Sequence, residues 1–435
     1  MLGFGRFQLL LLLLCGATQL ADATELLVLS LLSNPVQCAF GVGKSEAAWL
    51  ASSVFAGMLV GAYVTGHVAD QYGRRVGFGI TTSMVAGFGL LSACAPNFWL
   101  LVLARFFVGC GVGGANAALS LFIEYLPKSM RGRGLISFFF FFSVGGVLEA
   151  GLAYMVMPDW RALLMITALP SVLLVLALPV VPESPRYLVV HGRMEEAERC
   201  LVRAAACNGA KLPFGRLRQM DKGPHPKRAG AQSMTYLYSA VQRLLKTGTL
   251  RHLSLSLWAL FFLMALLYYA LVELTVSLSI PDPPPGHECD PVDKRAYWHV
   301  VIMNSGELPG LFAALLLLDL AGRRFTIALL AFLTGLFSLF LLDDGGDAED
   351  GSKGAGGGGG VKATQLVLIM FAARACALGF NQSLWIYTAE AYPTNQRALG
   401  IGAASALARV GGIFSPFVAL DLPKVSSCKL NYSAC

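Results

Sequence analysis

The chain has 435 residues, of which 56% are hydrophobic and 14% charged, and its mean hydropathy is +0.63. Soluble domains average about 45–50% apolar and about 25% charged residues, so this composition excludes an ordinary water-soluble globular domain. The formal charge of +7 would suit a nucleic-acid partner, but the Lys and Arg residues avoid the apolar runs and collect in short stretches between them. This distribution excludes a basic nucleic-acid face and indicates a polytopic membrane protein.

Eleven apolar runs are long enough to cross a bilayer as helices, which takes roughly 20 residues each. They lie at about 7–33, 47–69, 76–95, 98–124, 134–157, 161–181, 253–280, 297–320, 325–342, 363–389 and 397–420. The first run resembles a cleavable signal peptide, but it resumes after Glu25, so we expect a retained span. The ten-residue alternating segments of a membrane barrel do not occur. The sequence therefore predicts an all-α polytopic membrane protein.

The charges between the runs predict orientation and organisation. With the N-terminus in the cytoplasm, 22 Lys and Arg fall in the N-terminal stub and the cytoplasmic loops, against 6 in the outer loops. The positive-inside rule therefore favours a cytoplasmic N-terminus. We expect an N-terminal six-span bundle (1–181), a basic cytoplasmic loop (182–252), a C-terminal five-span bundle (253–420) and a polar tail (421–435).

Two loop patterns occur once in each half of the chain. The first comprises Asp70, Gly73, Arg74 and Arg75, and it returns 249 residues later as Asp319, Gly322, Arg323 and Arg324. The second comprises Glu124, Pro127 and Arg131, and it returns 266 residues later as Glu390, Pro393 and Arg397. Two patterns in matched order at nearly matched spacing indicate a duplicated half.

Each pattern has a physical reason. Gly73 permits the backbone conformation that a very short connection between helices needs, and Arg74 can pair with Asp70 at the end of the preceding span. Pro127 ends its helix and leaves Glu124 and Arg131 close enough to bridge. The loops can act as static staples or as ion pairs that break when two bundles rock apart, and the sequence leaves both roles open.

These motifs resemble those of the major facilitator superfamily, together with Pro182-Glu183-Ser184-Pro185-Arg186-Tyr187-Leu188 after the sixth run. Within it, the segments 21–26, 380–390 and 408–412 resemble the synaptic vesicle 2-related proteins, a group near the organic cation and anion transporters. The resemblance implies two helix bundles around a cavity that opens alternately to either side. Eleven runs are one fewer than this architecture has, so we expect six spans plus five, with the twelfth span missing.

Ionisable residues inside a span are costly and usually face a cavity or each other. The resemblance implies that spans one, four, seven and ten line the cavity. We expect a substrate or proton site among the charged residues of the spans, with amide and aromatic groups that orient an organic ligand. The candidates are Asp22, Glu25, Arg105, Glu149, Glu273, Glu307, Arg374, Asn381, Gln382, Tyr387 and Arg409.

The roles of these candidates differ. We expect Asp22 and Glu25, three residues apart on one helical face, to form a cation or proton site. Arg105 would be their partner or an anion-binding group, and a static ion pair between spans one and four stays open. For Glu149, Glu307 and Arg409 a site and a scaffold role are both open.

No enzyme, cofactor or metal site is predicted. The six histidines have no paired spacing, and no nucleophile arrangement stands out. Gly109-x-Gly111-x-x-Gly114 matches a dinucleotide fingerprint, but it lies inside an apolar run with no strand before it, so close helix packing explains it better. Cys38 and Cys289 fall in outer loops and could pair.

The sequence thus predicts a secondary active transporter of a small organic solute that works by alternating access, coupled to protons through Asp22 and Glu25. The expected partners are that solute, protons and the lipid bilayer, without nucleic acid, and the expected state is a monomer. The plasma membrane and a vesicle membrane are both open. The alternatives are a protein that uses the scaffold for binding or trafficking, or an inactive truncated form.

Overall fold

The structure is a computed structural model that describes residues 4–127, 130–210, 242, 244–246, 248–280, 294–344, 359–393 and 396–430. Within these ranges the chain is helical. The helices are α1 (Arg6–Phe40), α2 (Lys44–Tyr72), α3 (Arg74–Ala93), α4 (Phe98–Gly113), α5 (Asn116–Glu124), α6 (Arg131–Val156), α7 (Trp160–Leu176), α8 (Pro185–Val190), α9 (Met194–Asn208), α10 (Gly248–Ser279), α11 (Lys294–Ser305), α12 (Glu307–Leu320), α13 (Arg323–Asp344), α14 (Gly359–Ala391) and α15 (Arg397–Leu430).

Ten helical stretches of the described chain are long and apolar enough to cross a membrane. The pairs α4–α5 and α11–α12 each make one such stretch, and Trp160–Leu176 is a shorter apolar helix. These eleven helices coincide with the eleven predicted runs. The all-helical membrane fold is therefore confirmed, whereas the division into six plus five spans, with the twelfth absent, stays a prediction.

The chain divides into two compact units. Unit 1 comprises Met1–Val28, Ala56–Gly146 and Asp159–Gln232, and its core includes the buried rings of Phe78, Phe122 and Phe138. Unit 2 comprises Leu29–Phe55, Val147–Pro158 and Ser233–Cys435, and its core includes Phe261 and Leu384. The domain boundaries expected from the sequence stay a prediction.

Several helix ends follow from local sequence. The side chains of Asn97, Asp159 and Ser184 each accept a hydrogen bond from a backbone N–H in the first turn of α4, α7 and α8. These are the residue types that cap helix N-termini, where the first N–H groups have no partner within the helix. Gly209 ends α9 in the left-handed conformation, with φ 64°.

Glycines let the helix backbones touch at matched places in the two halves. In unit 1, a methyl group on Gly57 or Gly61 of α2 would collide with the backbone of Phe106 or Cys110 on α4. In unit 2, Gly306 and Gly310 lie 249 residues further on, and they meet the backbones of Phe371 and Ala375 in the same way. The offset equals that of the first loop pattern.

A third glycine pair extends the correspondence. Gly145 of α6 meets the backbone of Leu20 on α1, and Gly411 of α15, 266 residues later, meets the backbone of Phe262 on α10. This offset equals that of the second loop pattern. The internal repeat is therefore visible in the packing of the helices, and it assigns to each residue of these helices a counterpart in the other half.

These contacts predict a position-specific loss of stability. Gly61→Ala and Gly310→Ala should each lower the free energy of unfolding by about 1–3 kcal/mol, because the added methyl group has no room beside the facing backbone. Thermal unfolding of the purified protein in detergent measures the change. Gly66→Ala on α2 is the matched control, since nothing lies within 4 Å of a methyl group there. Equal midpoints for Gly61→Ala and Gly66→Ala would contradict the packing assignment.

Candidate substrate and proton site

A buried ion pair joins α1 and α4 in unit 1. Arg105 Nη1 lies 2.5 Å from Glu25 Oε2, and the two side chains are 0% and 1% exposed. Arg105 thus pairs with Glu25, one of the two carboxylates that the sequence offered as its partners. Two opposite charges in an apolar interior stabilise each other only if the remaining donors and acceptors also find partners.

This pair is only partly satisfied. Among the described residues, Glu25 Oε1 and the Nε and Nη2 groups of Arg105 have no hydrogen-bond partner. Asp22, one turn before Glu25, is also buried, and its carboxylate accepts a hydrogen bond from Gln19 Nε2 at 3.2 Å. Buried polar atoms without hydrogen-bond partners raise the free energy of the folded state, so they mark a place where a proton or a ligand can bind.

A second buried ion pair lies in unit 2, between α12 and α14. Arg374 Nη2 is 2.5 Å from Glu307 Oε1, and both side chains are at least 97% buried. The same Glu307 oxygen accepts a hydrogen bond from the Tyr268 hydroxyl at 2.9 Å. Arg374 also donates to Asn304 Oδ1 at 2.7 Å and to Thr275 Oγ1 at 3.4 Å. This network is better satisfied than the pair in unit 1.

The sequence analysis missed Asn304 and Thr275 as members of this network. A signal for Asn304 existed, because it is an amide residue inside an apolar run, one turn before Glu307. Thr275 gave no signal, since a hydroxyl on a membrane helix ordinarily bonds a carbonyl of its own helix, and this one also donates to Leu271 O.

At the corresponding positions of the repeat, the other half of the chain carries no charged residues. The glycine contacts pair Glu25 with Leu267 and Arg105 with Met370, so the second half carries apolar residues at the positions of the first ion pair. The same holds for the second ion pair: the counterparts of Glu307 and Arg374 are the uncharged residues Met58 and Gly109. The two pairs are therefore not copies of one another, and each lies where the other half packs without charge.

The other predicted site residues lie on α6, α10, α14 and α15. Glu149 is fully buried on α6, and Arg409 of α15 bonds Ser405 one turn earlier. Asn381 and Gln382 lie on α14, seven and eight residues after Arg374 and thus on the same helical face, with Tyr387 further along. Glu273 lies partly buried on α10.

The first loop pattern forms a polar cluster in unit 1. Arg74 pairs with Asp70 at 2.7 Å, as the sequence predicted. The Glu183 carboxylate accepts hydrogen bonds from the backbone N–H groups of Arg74 and Arg75 at 2.8 and 3.2 Å, so it caps α3 from 109 residues away. Gly73 is needed here, because its φ is 114° and a methyl group would collide with Glu183.

Two tyrosines complete this cluster. The Tyr125 hydroxyl donates to the Glu183 carbonyl oxygen at 2.7 Å, and the Tyr187 hydroxyl donates to the Gln71 carbonyl oxygen at 2.7 Å. Burial raises the pKa of the Tyr125 hydroxyl, so the group stays protonated and keeps donating at neutral pH. These hydrogen bonds hold the segment after α7 against the loop between α2 and α3.

The second copy of the first loop pattern, in unit 2, is built differently. Gly322 again has a positive φ, 85°, but Arg323 pairs with Glu390 at 3.1 Å and lies 3.9 Å from Asp319. The neighbouring Arg324 is exposed. These are surface pairs, and isolated surface pairs contribute about 0–1 kcal/mol to stability.

The bridges expected across the two proline breaks are not formed. Glu124 hydrogen-bonds the Ser184 hydroxyl instead of Arg131, and Glu390 binds Arg323 instead of Arg397, whose Nε donates to the Tyr392 carbonyl oxygen. The reason is geometric: each carboxylate ends its helix beside a loop from another element, which offers a nearer donor. Cys38 is disulfide-bonded. Cys289 lies outside the described residues, so the Cys38–Cys289 pairing stays a prediction.

The repeat offers a test of whether the first ion pair is structural. The double variant Glu25→Leu/Arg105→Met carries the residues of the other half, and it should fold with a stability near that of the wild type. Glu25→Leu alone should lower the free energy of unfolding by about 3–5 kcal/mol, because it leaves a buried arginine without its counter-ion. Thermal unfolding in detergent measures all three proteins.

We expect the effects of the two substitutions on stability to be non-additive. A double variant that unfolds as readily as Glu25→Leu would show that the pair is part of the scaffold. Glu195→Gln on α9 serves as a control, because this side chain is 90% exposed and its pair with Arg199 lies on the surface.

The chain matches a protein family described as "Sugar (and other) transporter" over residues 33–422. It is 35% identical to the synaptic vesicle 2-related protein of Rattus norvegicus, over 96% of this chain and 74% of the relative. It is 33% identical to organic cation/carnitine transporter 7 of Arabidopsis thaliana, over 97% of this chain and 87% of the relative. It is also 33% identical to the putative transporter svop-1 of Caenorhabditis elegans, over 96% of this chain and 78% of the relative.

Solved structures with the same fold are transporters of the major facilitator superfamily. The xylose transporter XylE of E. coli in an inward-open conformation superposes with a TM-score of 0.66 at 17% identity, over 96% of this chain and 89% of that one. At this identity the likeness shows the fold alone. With the family match and the curated relatives, it leads to one conclusion: the chain is a multi-pass membrane transporter that belongs to the sugar (and other) transporter family of the major facilitator superfamily.

Proposed function

We propose that this protein is a proton-coupled secondary transporter of a small organic solute, and that it works by alternating access. The observation that carries the proposal is the buried, partly satisfied Glu25–Arg105 pair on α1 and α4. Its counterparts in the other half are apolar, so packing does not explain its presence. A charged pair that is costly in the membrane and has no counterpart in the other half supports a functional role.

The chemistry of coupling follows from this pair. A proton that binds Glu25 neutralises it and removes the counter-ion of Arg105, so the attraction between α1 and α4 is lost in the protonated state. Asp22, one turn away on the same face, is a second carboxylate on the route of the proton. A proton can thereby change the relative stability of two helix arrangements, which is what coupling to a gradient requires.

Residues of unit 2 support the proposal that the protein binds an organic solute. Among the described residues, Asn381 Oδ1 and Gln382 Oε1 are buried and have no hydrogen-bond partner. They share a helical face with Arg374, whose pair with Glu307 has apolar or small counterparts in unit 1. A hydroxyl or N–H group of a solute would satisfy these oxygens. Organic cation/carnitine transporter 7 of Arabidopsis thaliana, to which the chain is 33% identical, is named for an organic solute, which fits this proposal.

We further propose a cytoplasmic N-terminus, since that orientation places 22 of the Lys and Arg residues in cytoplasmic segments. The surface pairs Arg74–Asp70 and Arg323–Glu390 would then lie on the cytoplasmic side, where their breaking can accompany the opening of the cavity. The relatives named after the synaptic vesicle favour a vesicle membrane.

Uptake in proteoliposomes tests the proposal. The purified full chain is reconstituted, and uptake of a library of radiolabelled organic ions and sugars is compared with and without an imposed pH gradient. We expect at least one solute to accumulate only with the gradient. Glu25→Gln should abolish this accumulation while leaving exchange of solute at equal concentrations, because the variant keeps the shape of the side chain and lacks the titrating group. Asp22→Asn should reduce it.

Glu195→Gln, on the surface of α9, should accumulate solute as the wild type does. Gradient-driven uptake that survives both Glu25→Gln and Asp22→Asn would refute the coupling assignment. A protein that transports none of the solutes, yet is stabilised against heat by one of them, would instead be a binding protein on a transporter scaffold.

A further inference from the structure

One carboxylate of the membrane helices differs from the others. Glu25 and Glu307 are each neutralised by an arginine at 2.5 Å. Glu273 lies six residues before the end of the apolar helix α10, and it has no ion pair or hydrogen bond among the described residues. An ionisable group in a membrane span without a protein partner indicates a function, and the natural partner of its ionised form is a cation that arrives from outside the chain.

The other half of the chain carries no carboxylate at the position that corresponds to Glu273. The contacts Gly145 to Leu20 and Gly411 to Phe262 set the correspondence between α1 and α10, and they pair Glu273 with Leu31. Leu31 is 1% exposed, so the first half buries an aliphatic side chain at this position. A structural role for the charge of Glu273 is therefore not supported by the repeat.

Aromatic rings lie beside Glu273. Tyr269 precedes it by one turn and thus lies on the same face of α10. The Tyr269 ring is 4.5 Å from the ring of Phe55 and 5.1 Å from that of Tyr268, measured between centroids. Clustered aromatic rings attract organic ammonium groups through their negative faces, and a nearby carboxylate adds the opposite charge.

We propose that Glu273 is the counter-ion of a solute that carries an organic ammonium group, with Tyr269 and Phe55 supplying the aromatic surface beside it. This inference rests on the proposed transport function and adds the charge of the solute. It also explains why the site takes a cation: the arginines Arg105 and Arg374 are already paired with carboxylates, whereas Glu273 is not. A metal ion is disfavoured, because no group of three metal-binding side chains occurs within the described ranges.

Binding of matched probes tests the charge requirement. Choline and its neutral isostere 3,3-dimethylbutan-1-ol have the same shape and differ by the positive charge, and tetraethylammonium is a larger cation. The affinity of each of the three probes is measured directly by equilibrium binding to the purified full chain. We expect at least one of the two cations to bind, and choline to bind about tenfold or more tightly than the isostere, as a desolvated cation–π and charge interaction implies.

Variants assign the binding to the site. Glu273→Leu carries the residue of the other half and should fold, and Glu273→Gln keeps the shape of the side chain. Both should weaken cation binding about tenfold or more, whereas Glu273→Asp should retain most of it. Tyr269→Leu should weaken binding several-fold, whereas Tyr269→Phe, which keeps a ring face, should not. Thermal unfolding midpoints confirm that each variant is folded.

The outcomes separate this inference from the function on which it rests. Equal binding of choline and its isostere, or unchanged cation binding in both Glu273→Leu and Glu273→Gln, would overturn the inference. Gradient-driven uptake of anions or sugars, without uptake of any cation, would overturn it too and leave the proposed transport function in place. If the wild-type protein transports none of the solutes, the proposed function itself fails.

Discussion

The close approach of helix backbones at glycine is the contact on which the rest of this structure depends. In a bilayer the hydrophobic effect does not drive helices together, so association relies on van der Waals packing and on polar contacts between helices. Gly57 and Gly61 in one unit and Gly306 and Gly310 in the other bring backbones into direct contact. This packing involves no charge, so the glycine contacts hold the helices together independently of the buried ion pairs.

The two halves share this scaffold and differ in where they carry charge. Unit 1 places its ion pair between α1 and α4, whereas unit 2 places its own between α12 and α14, at positions that do not correspond. The loops diverge as well, because the Glu183 carboxylate caps α3, whereas Arg323 next to Gly322 binds Glu390. The unmatched charges of the duplicated fold underlie our proposal that one half couples transport to protons and the other binds the solute.

Hydropathy and repeated motifs in the sequence were enough to predict the helical spans, the superfamily and the Arg105–Glu25 partnership. These follow from one-dimensional rules, namely span length, the cost of buried charge and spacing along a helix. The prediction of ion pairs across Pro127 and Pro393 was wrong. Glu124 and Glu390 instead contact Ser184 and Arg323, which lie on segments distant in the chain. The glycine contacts that align the two halves were also out of reach, since they depend on which helices touch.

Proton movement that accompanies transport tests the central claim most directly, namely that the Glu25–Arg105 pair links a proton to the solute. The measurement uses proteoliposomes that contain a trapped pH-sensitive dye, with a solute gradient imposed and no initial pH gradient. The account predicts that a transported solute changes the internal pH with the wild-type protein and leaves it unchanged with Glu25→Gln. Solute uptake by the wild-type protein without any pH change would contradict it.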